Sequence, residues 1–395
     1  MLAFAFAVAN SRPALAADDV LIPAWNVVGP FESGSREGLV QPLADSEGRI
    51  PERFTLEETW PSVLADGGSV AWKRVESERD AEGRLTGNLA LKLEGVDWDA
   101  RESEWGAAAM LNIACCYATF TLDAPQLMLV DASRCAGLID GVPFSGDPYG
   151  AGIARSVVSC RAGENTVLLM SQGFGAERSI SFRLTPIAAD GPGLLVIAND
   201  VLLPDLVQGR AGQGMAAVPI LNLTNDWISG VAIDVGGAGL SGHAILDAPL
   251  APRAPIKVPV PVAWTAASGE PRDESVAVRV ASARGAAPEA SATLRVRSPQ
   301  QARRETFVSH IDGSAQEFGL LPSSAGEAPG QALLMTTHGA GVGAVGQADA
   351  YSPKDWMHVV APSNRRPYGF DWNDWGRLDF DEVMDVARQR LRPDP

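Results

Sequence analysis

Short apolar runs of strand length, set apart by Gly, Asp and Pro, fill most of this 395-residue chain. Residues 376–391 instead place their apolar positions at helical spacing. Residues 20–28 read as strand and end on the breaker Gly29-Pro30. Runs at 70–75, 107–120, 127–131, 156–159 and 167–170 repeat the theme, with Ala162-Gly163-Glu164-Asn165 as the turn before the last. No amphipathic helix separates these runs, so residues 18–187 are expected to form a jelly roll or related sandwich rather than a parallel sheet. Ala188-Ala189-Asp190-Gly191-Pro192-Gly193 is a composition break and reads as a linker. Six further runs, at 194–198, 217–223, 230–235, 256–262, 275–280 and 292–296, predict an immunoglobulin-like sandwich over residues 188–299. Val276, Val278 and Val280 alternate with Ala277 and Arg279, the period of a half-buried strand.

Residues 300–395 change character. A hairpin is expected from 306–310 and 316–321 around Asp312-Gly313. A strand at 331–337, a glycine loop, a second strand at 356–361 and a helix at 376–391 come next, with Pro393 as the stop. Acids early and arginines late in that helix suit its dipole. Strand, loop, strand, helix is the opening of a parallel α/β layer. The whole is therefore expected to be multidomain and mostly β, in keeping with a length beyond that of one ordinary core.

Composition narrows the classes of partner. Hydrophobic residues at 46% and charged residues at 20% are those of a folded chain. A net charge of −16 without any Lys/Arg-rich run would repel a phosphate backbone, which excludes nucleic acid. The apolar stretch 2–9, with Ala14-Leu15-Ala16 before Ala17-Asp18, has the form of a signal peptide over residues 1–17 and predicts export to the periplasm or beyond. No other run is long enough for a membrane span. Cys115, Cys116, Cys135 and Cys160 include no C-x-x-C and have no His at ligand spacing, so no metal site and no cofactor are expected. Adjacent Cys115 and Cys116 would face opposite sides of a strand. A bridge between Cys135 and Cys160 and four buried thiols are the two alternatives. The acids between Glu94 and Glu104 read as a solvated loop more simply than as a calcium site.

Candidate chemistry gathers at residues 331–346. Gly341-Val342-Gly343-Ala344-Val345-Gly346 fits G-x-G-x-x-G, yet His338-Gly339-Ala340 separate it from the strand, Pro353 interrupts the segment after it, and no acid ends the next strand. The dinucleotide reading is set aside on those grounds. His338-Gly339-Ala340-Gly341 is instead an HGGG-like loop, whose small residues let backbone N–H groups approach an oxyanion. Asp371, Asp374, Asp379 and Asp381 lie near Trp372 and Trp375; Asp379 and Asp381 suit a helix N-terminus, which leaves Asp374, Trp375 and Arg377 as pocket candidates. His310 and His358 are expected to be structural.

Two resemblances add to this. Trp25-Asn26-Val27-Val28-Gly29-Pro30-Phe31, Asp140-Gly141-Val142-Pro143 and Arg161-Ala162-Gly163-Glu164-Asn165-Thr166-Val167-Leu168 resemble the galactose-binding-like jelly-roll modules of secreted bacterial hydrolases. That implies the same fold for residues 18–187 and a polysaccharide as the module's partner. Trp60, Trp72, Trp98 and Trp105 would then form a sugar platform or sit in the core, the core being the usual place for large aromatics. His310-Ile311-Asp312-Gly313-Ser314, His338-Gly339-Ala340-Gly341, Tyr351-Ser352-Pro353, Asn364-Arg365-Arg366-Pro367 and Asp374-Trp375-Gly376-Arg377 resemble, in order, the opening of a secreted prolyl-oligopeptidase-like α/β-hydrolase domain. This second resemblance covers about the final quarter of the chain and implies a serine peptidase or esterase acting on a peptide or ester. Gly339 and Ala340 would supply oxyanion-hole backbone, His338 and Gly341 would support the loop, and Asp374, Trp375 and Arg377 would face substrate. No G-x-S-x-G occurs in the sequence, so the chain is expected to be an inactive N-terminal portion without its Ser/Asp/His triad. The alternative function is a carbohydrate-binding or cell-surface adhesion β-sandwich protein without catalysis.

Overall fold

The protein is seen here as a computed structural model that describes residues 18–33, 42–147, 149–339, 341–365 and 372–393. The expected signal peptide, Ala340, Arg366, Pro367 and Asp371 lie outside the described residues. The N-terminal part pairs ten strands into two facing sheets. In chain order these are β1 (Ala24–Glu32), β2 (Lys73–Glu76), β3 (Asn88–Lys92), β4 (Leu111–Leu122), β5 (Gln126–Ser133), β6 (Ala136–Ile139), β7 (Val142–Phe144), β8 (Ser156–Cys160), β9 (Gly163–Phe174) and β10 (Glu177–Pro186). One sheet runs β2-β1-β4-β9-β6-β7 and the other β8-β5-β10-β3, antiparallel throughout. Helix α1 (Trp98–Trp105) begins at Asp97, whose carboxylate accepts the Ala100 N–H at 3.0 Å, so the acidic stretch expected to be a loop contains a capped helix, with Asp99 in its first turn.

The strands divide by face. β4 is apolar on both sides because each side is covered: Cys116 packs into the core between the sheets, while Cys115 lies in a second cluster with Phe31 and Tyr117, capped by Phe54, Trp60 and Trp72. β10 alternates instead, with Ile180, Phe182 and Leu184 in the core and Ser181 and Arg183 turned outward. Three of the four tryptophans considered for a sugar platform are packing residues. Trp98 lies against the sandwich core, and only Trp105 is exposed, under the Arg101 guanidinium at 5.1 Å. All four cysteines are buried free thiols, and burial pushes Cys115 and Cys160 up to about 12.

From Leu194–Val196 to Ala290–Arg297 a single nine-stranded sheet curls around its own core, in which Val218, Val260, Val276, Val278 and Leu294 are fully buried. Leu129, Val157 and Ile187 of the first part meet Ile197, Leu221 and Leu223 of this one, an apolar seam under the linker. The protein is thus a multidomain, mostly β chain.

The last part is a four-stranded sheet of β11 (Arg303–Val308), β12 (Ala315–Leu321), β13 (Ala332–Met335) and β14 (Met357–Pro362), in the order β11-β12-β14-β13. Only β13 and β14 are parallel. Helix α2 (Ala344–Asp349) covers one face beside Leu321, Val359 and Ala361. Helix α3 (Trp375–Leu391) covers the other, setting Val383, Ala387 and Leu391 on Phe307, Phe318 and Val360. The expected strands and helix exist, but the parallel layer is reduced to one pair in a mixed sheet, and the α/β-hydrolase segment expected over residues 300–395 is not shown.

Charge locks this part in place. Asp205, buried, accepts Arg295 Nε–H at 2.8 Å and the Arg304 N–H at 2.7 Å, joining the nine-stranded sheet to β11. Arg365, also buried, is shared by Asp312 at 3.1 Å, Glu382 at 2.6 Å and Asp379 at 3.6 Å. Asp379 accepts the Asn364 N–H at 2.8 Å and the Ser363 hydroxyl at 3.3 Å. Burial nevertheless raises its carboxyl to about 6, with Arg365 offsetting part of the rise.

Two measurements check these contacts. A Cβ at Gly319 would lie 2.3 Å from the Ala344 carbonyl oxygen of α2, so Gly319→Val is expected to destabilise the protein by about 1–3 kcal/mol in urea titration. Folded Asp379 keeps its proton up to about pH 6, whereas the unfolded group releases it near 3.8. The folded state therefore binds the extra proton between those values, and the stability this group contributes falls as pH rises through that window, by roughly 3 kcal/mol at most. Asp379→Asn should flatten that part of the stability profile; a slope identical to wild type would count against the assignment.

Candidate functional site

The loop after β13 is organised by His338. Its ring is buried, with Nδ1 3.0 Å from the Gly339 carbonyl oxygen and Nε2 3.2 Å from that of Ser363. The His338 carbonyl accepts Trp372 Nε1–H at 3.0 Å, and the two rings meet edge-on at 5.0 Å. The ring thus bridges the loop and the residue that follows β14. Gly339 is exposed, and Gly341 takes the left-handed φ of +79° that favours glycine. The glycine run then enters α2, which is six residues long and too short to focus a helix dipole on a phosphate.

Asp374, Trp375 and Arg377 share the start of α3 and are all exposed. Arg377 pairs with Asp381 at 3.4 Å, and the Trp375 ring lies 5.9 Å beneath the Arg365 guanidinium. Ser363 is buried and gives its hydroxyl to Asp379. His358 is buried too, its Nδ1 accepting the Ser323 N–H at 3.0 Å, and burial lowers its pKa. Both ring nitrogens of His338 and Nδ1 of His358 thus face backbone groups of neighbouring segments.

A different region has the form of a binding site. The register sets Ser181 opposite Ser133 on one side and Asn88 on the other, and Arg183 opposite Asp131. With Phe182, Ala132 and Leu89 facing the core, these five polar side chains share the solvent face of the second sheet. Asp147, Gly150, Gly152 and Arg155 from the segment before β8, and Thr86 and Gly87 before β3, wall a cavity of about 240 Å³ over them. The wall is built around Asp147, 1% exposed, whose carboxylate accepts the backbone N–H groups of Tyr149 at 3.2 Å and Ile153 at 3.0 Å as well as that of Gly152.

Within the cavity the charges are paired. Arg155 Nη2 lies 3.0 Å from Asp131, and Arg183 meets Asp19 at 3.3 Å and the Thr86 carbonyl at 3.0 Å. The side chains of Asn88, Ser133 and Ser181, half-buried, have no protein hydrogen-bond partner among the described residues and remain available to a ligand. Sequence reading missed this site because it missed β3 and β10. The signal in β10 was present: Ile180, Phe182 and Leu184 alternate with Ser181 and Arg183. Among the described residues, no group of three or more His, Cys, Asp or Glu is placed to hold a metal ion.

No protein-family model matches the chain, and no curated protein does. Among solved structures it is similar to a β-D-mannosidase from Dictyoglomus thermophilum, at 8% identity and a TM-score of 0.35 over 81% of this chain and 40% of that one. A family 2 β-galacturonidase from Eisenbergiella tayi bound to galacturonate gives 11% and 0.34 over 81% and 47%. A family 2 glycosyl hydrolase from Bacteroides cellulosilyticus gives 10% and 0.29 over 80% and 39%. The chain spans less than half the length of each. These neighbours are glycoside hydrolases and not prolyl-oligopeptidase-like serine hydrolases, so that resemblance is corrected, together with the serine peptidase or esterase function and the peptide or ester substrate it implied. The physical reason is visible at His338: a glycine-rich strand exit is a local feature, and here its histidine faces two backbone carbonyls. Identities and TM-scores of this size transfer no role to a residue, so what the cavity binds must be derived from its own groups.

Proposed function

We propose that the protein is a carbohydrate-binding or cell-surface adhesion β-sandwich protein that works without catalysis, and that the cavity over β3, β5 and β10 is its glycan site. The observation that carries this reading is the set of unpartnered neutral groups, Asn88, Ser133 and Ser181, on a sheet face walled by the Asp147 loop. A sugar hydroxyl both donates and accepts, as do an amide and a serine hydroxyl, so the two sets are complementary. The strands beneath are held by the sandwich core, which keeps the donors in place before a ligand arrives. In this reading residues 18–187 are a galactose-binding-like jelly roll and residues 188–299 an immunoglobulin-like spacer. The chain is exported, supported by the signal-peptide form of residues 1–17.

The test is a glycan array probed with the whole chain. Binding to a subset of glycans is expected, falling at least tenfold in the double variant Asn88→Leu with Ser181→Val, while the thermal midpoint stays within a few degrees of wild type. A folded protein that binds no glycan, or a double variant that binds as well as wild type, would sink the proposal. Export is checked separately by N-terminal sequencing of the secreted chain, which should begin at Ala17 or Asp18.

A further inference from the structure

We infer that the cavity takes a single neutral pyranose unit and excludes uronate and sulfated units, an inference that rests on the carbohydrate reading above. Size supplies the first step. A cavity of about 240 Å³ is below the roughly 300–1,000 Å³ of sites for drug-sized ligands, which leaves room for one ring rather than a chain of them.

Charge supplies the second. Four charged side chains line the cavity, and each is committed within the protein: Arg155 to Asp131, Arg183 to Asp19 and Thr86, and Asp147 to the backbone of its own loop. A carboxylate or sulfate entering here would have to displace a protein carboxylate from its guanidinium, and it would lie among Asp131 and Asp147 while doing so. Removing an anion from water without a free cation is costly, and like charges at close range add to that cost. Neutral hydroxyls meet no such barrier. They can use the Asn88 amide and the Ser133 and Ser181 hydroxyls, and the spare lone pairs of Asp131, with every ion pair left intact. Selection against acidic sugars thus comes from the repulsive element, and recognition of neutral ones from the uncharged groups. Arg134 is an exposed guanidinium beside the cavity wall. It lies against Gly150 and does not line the cavity.

The experiment is calorimetric titration of the whole chain with the methyl glycosides of galactose, glucose and mannose, and with the matching methyl uronosides, which differ only in the oxidised C6. At least one neutral glycoside should bind, its uronoside at least tenfold more weakly, and the neutral affinity should hold between 50 and 500 mM NaCl, as expected without a ligand charge to screen. Asn88→Asp, which adds a third lining carboxylate and removes two donors, should weaken the neutral glycoside at least tenfold. If that variant does not fold by circular dichroism, Ser181→Ala serves in its place with a smaller loss. A uronoside bound as tightly as its neutral partner, or one whose binding is lost in Arg134→Gln, overturns the charge argument while leaving the carbohydrate reading standing. Binding of oligosaccharides without any monosaccharide overturns the single-unit argument. Failure of every glycoside together with a silent glycan array overturns both.

Discussion

The pairing of β10 with β5 on one side and β3 on the other is the constraint on which the N-terminal half depends. A strand with side chains alternating between two faces can serve two purposes, provided its register is fixed. Here Ile180, Phe182 and Leu184 enter the core, with the Phe182 ring edge-on to Trp25 at 5.6 Å. A slip of one residue would expose them all and bury Ser181 and Arg183 in their place. The apolar face thereby holds the polar face in register. The cavity is a product of core packing seen from its other side, and the loop around Asp147 only completes it.

Much of the architecture was legible because it is local. Residues 276–280 carry their period in a few positions, 167–170 read as strand from an unbroken apolar run, and the breaks at Gly29-Pro30 and 188–193 are marked by Gly and Pro. The cavity was not legible in the same way. Asn88 and Ser181 are neighbours only through a pairing across the chain, and Asp147 acquires its role from the backbone N–H groups it gathers. The C-terminal motif fails for the opposite reason. His338-Gly339-Ala340-Gly341 is conspicuous locally, but the function of a histidine is set by what faces its two nitrogens, and those partners come from the turn into α2 and from the end of β14. Local spelling gave the loop and long-range packing decided its use.

The buried charges show the same division. Arg365 draws Asp312, Asp379 and Glu382 from a hairpin and a helix onto the end of one strand, and Asp205 ties the nine-stranded sheet to β11. Each replaces solvent for groups that could not be left unpaired, so their worth lies in specifying one docking geometry more than in net stabilisation. In a chain with a charge of −16, arginine is the limiting partner, and the carboxylates that must be buried are placed where one guanidinium can be shared among several.

Cys115 and Cys116 are adjacent in sequence, yet one sulfur sits beneath the aromatic cover of Phe54, Trp60 and Trp72 and the other between the two sheets. Burial holds both thiols far from ionisation, so neither reacts until its own shelter opens. One peptide bond therefore carries two independent clocks. The rate at which each sulfur meets a thiol reagent reports the breathing of a different layer, the outer cover for one and the sandwich itself for the other.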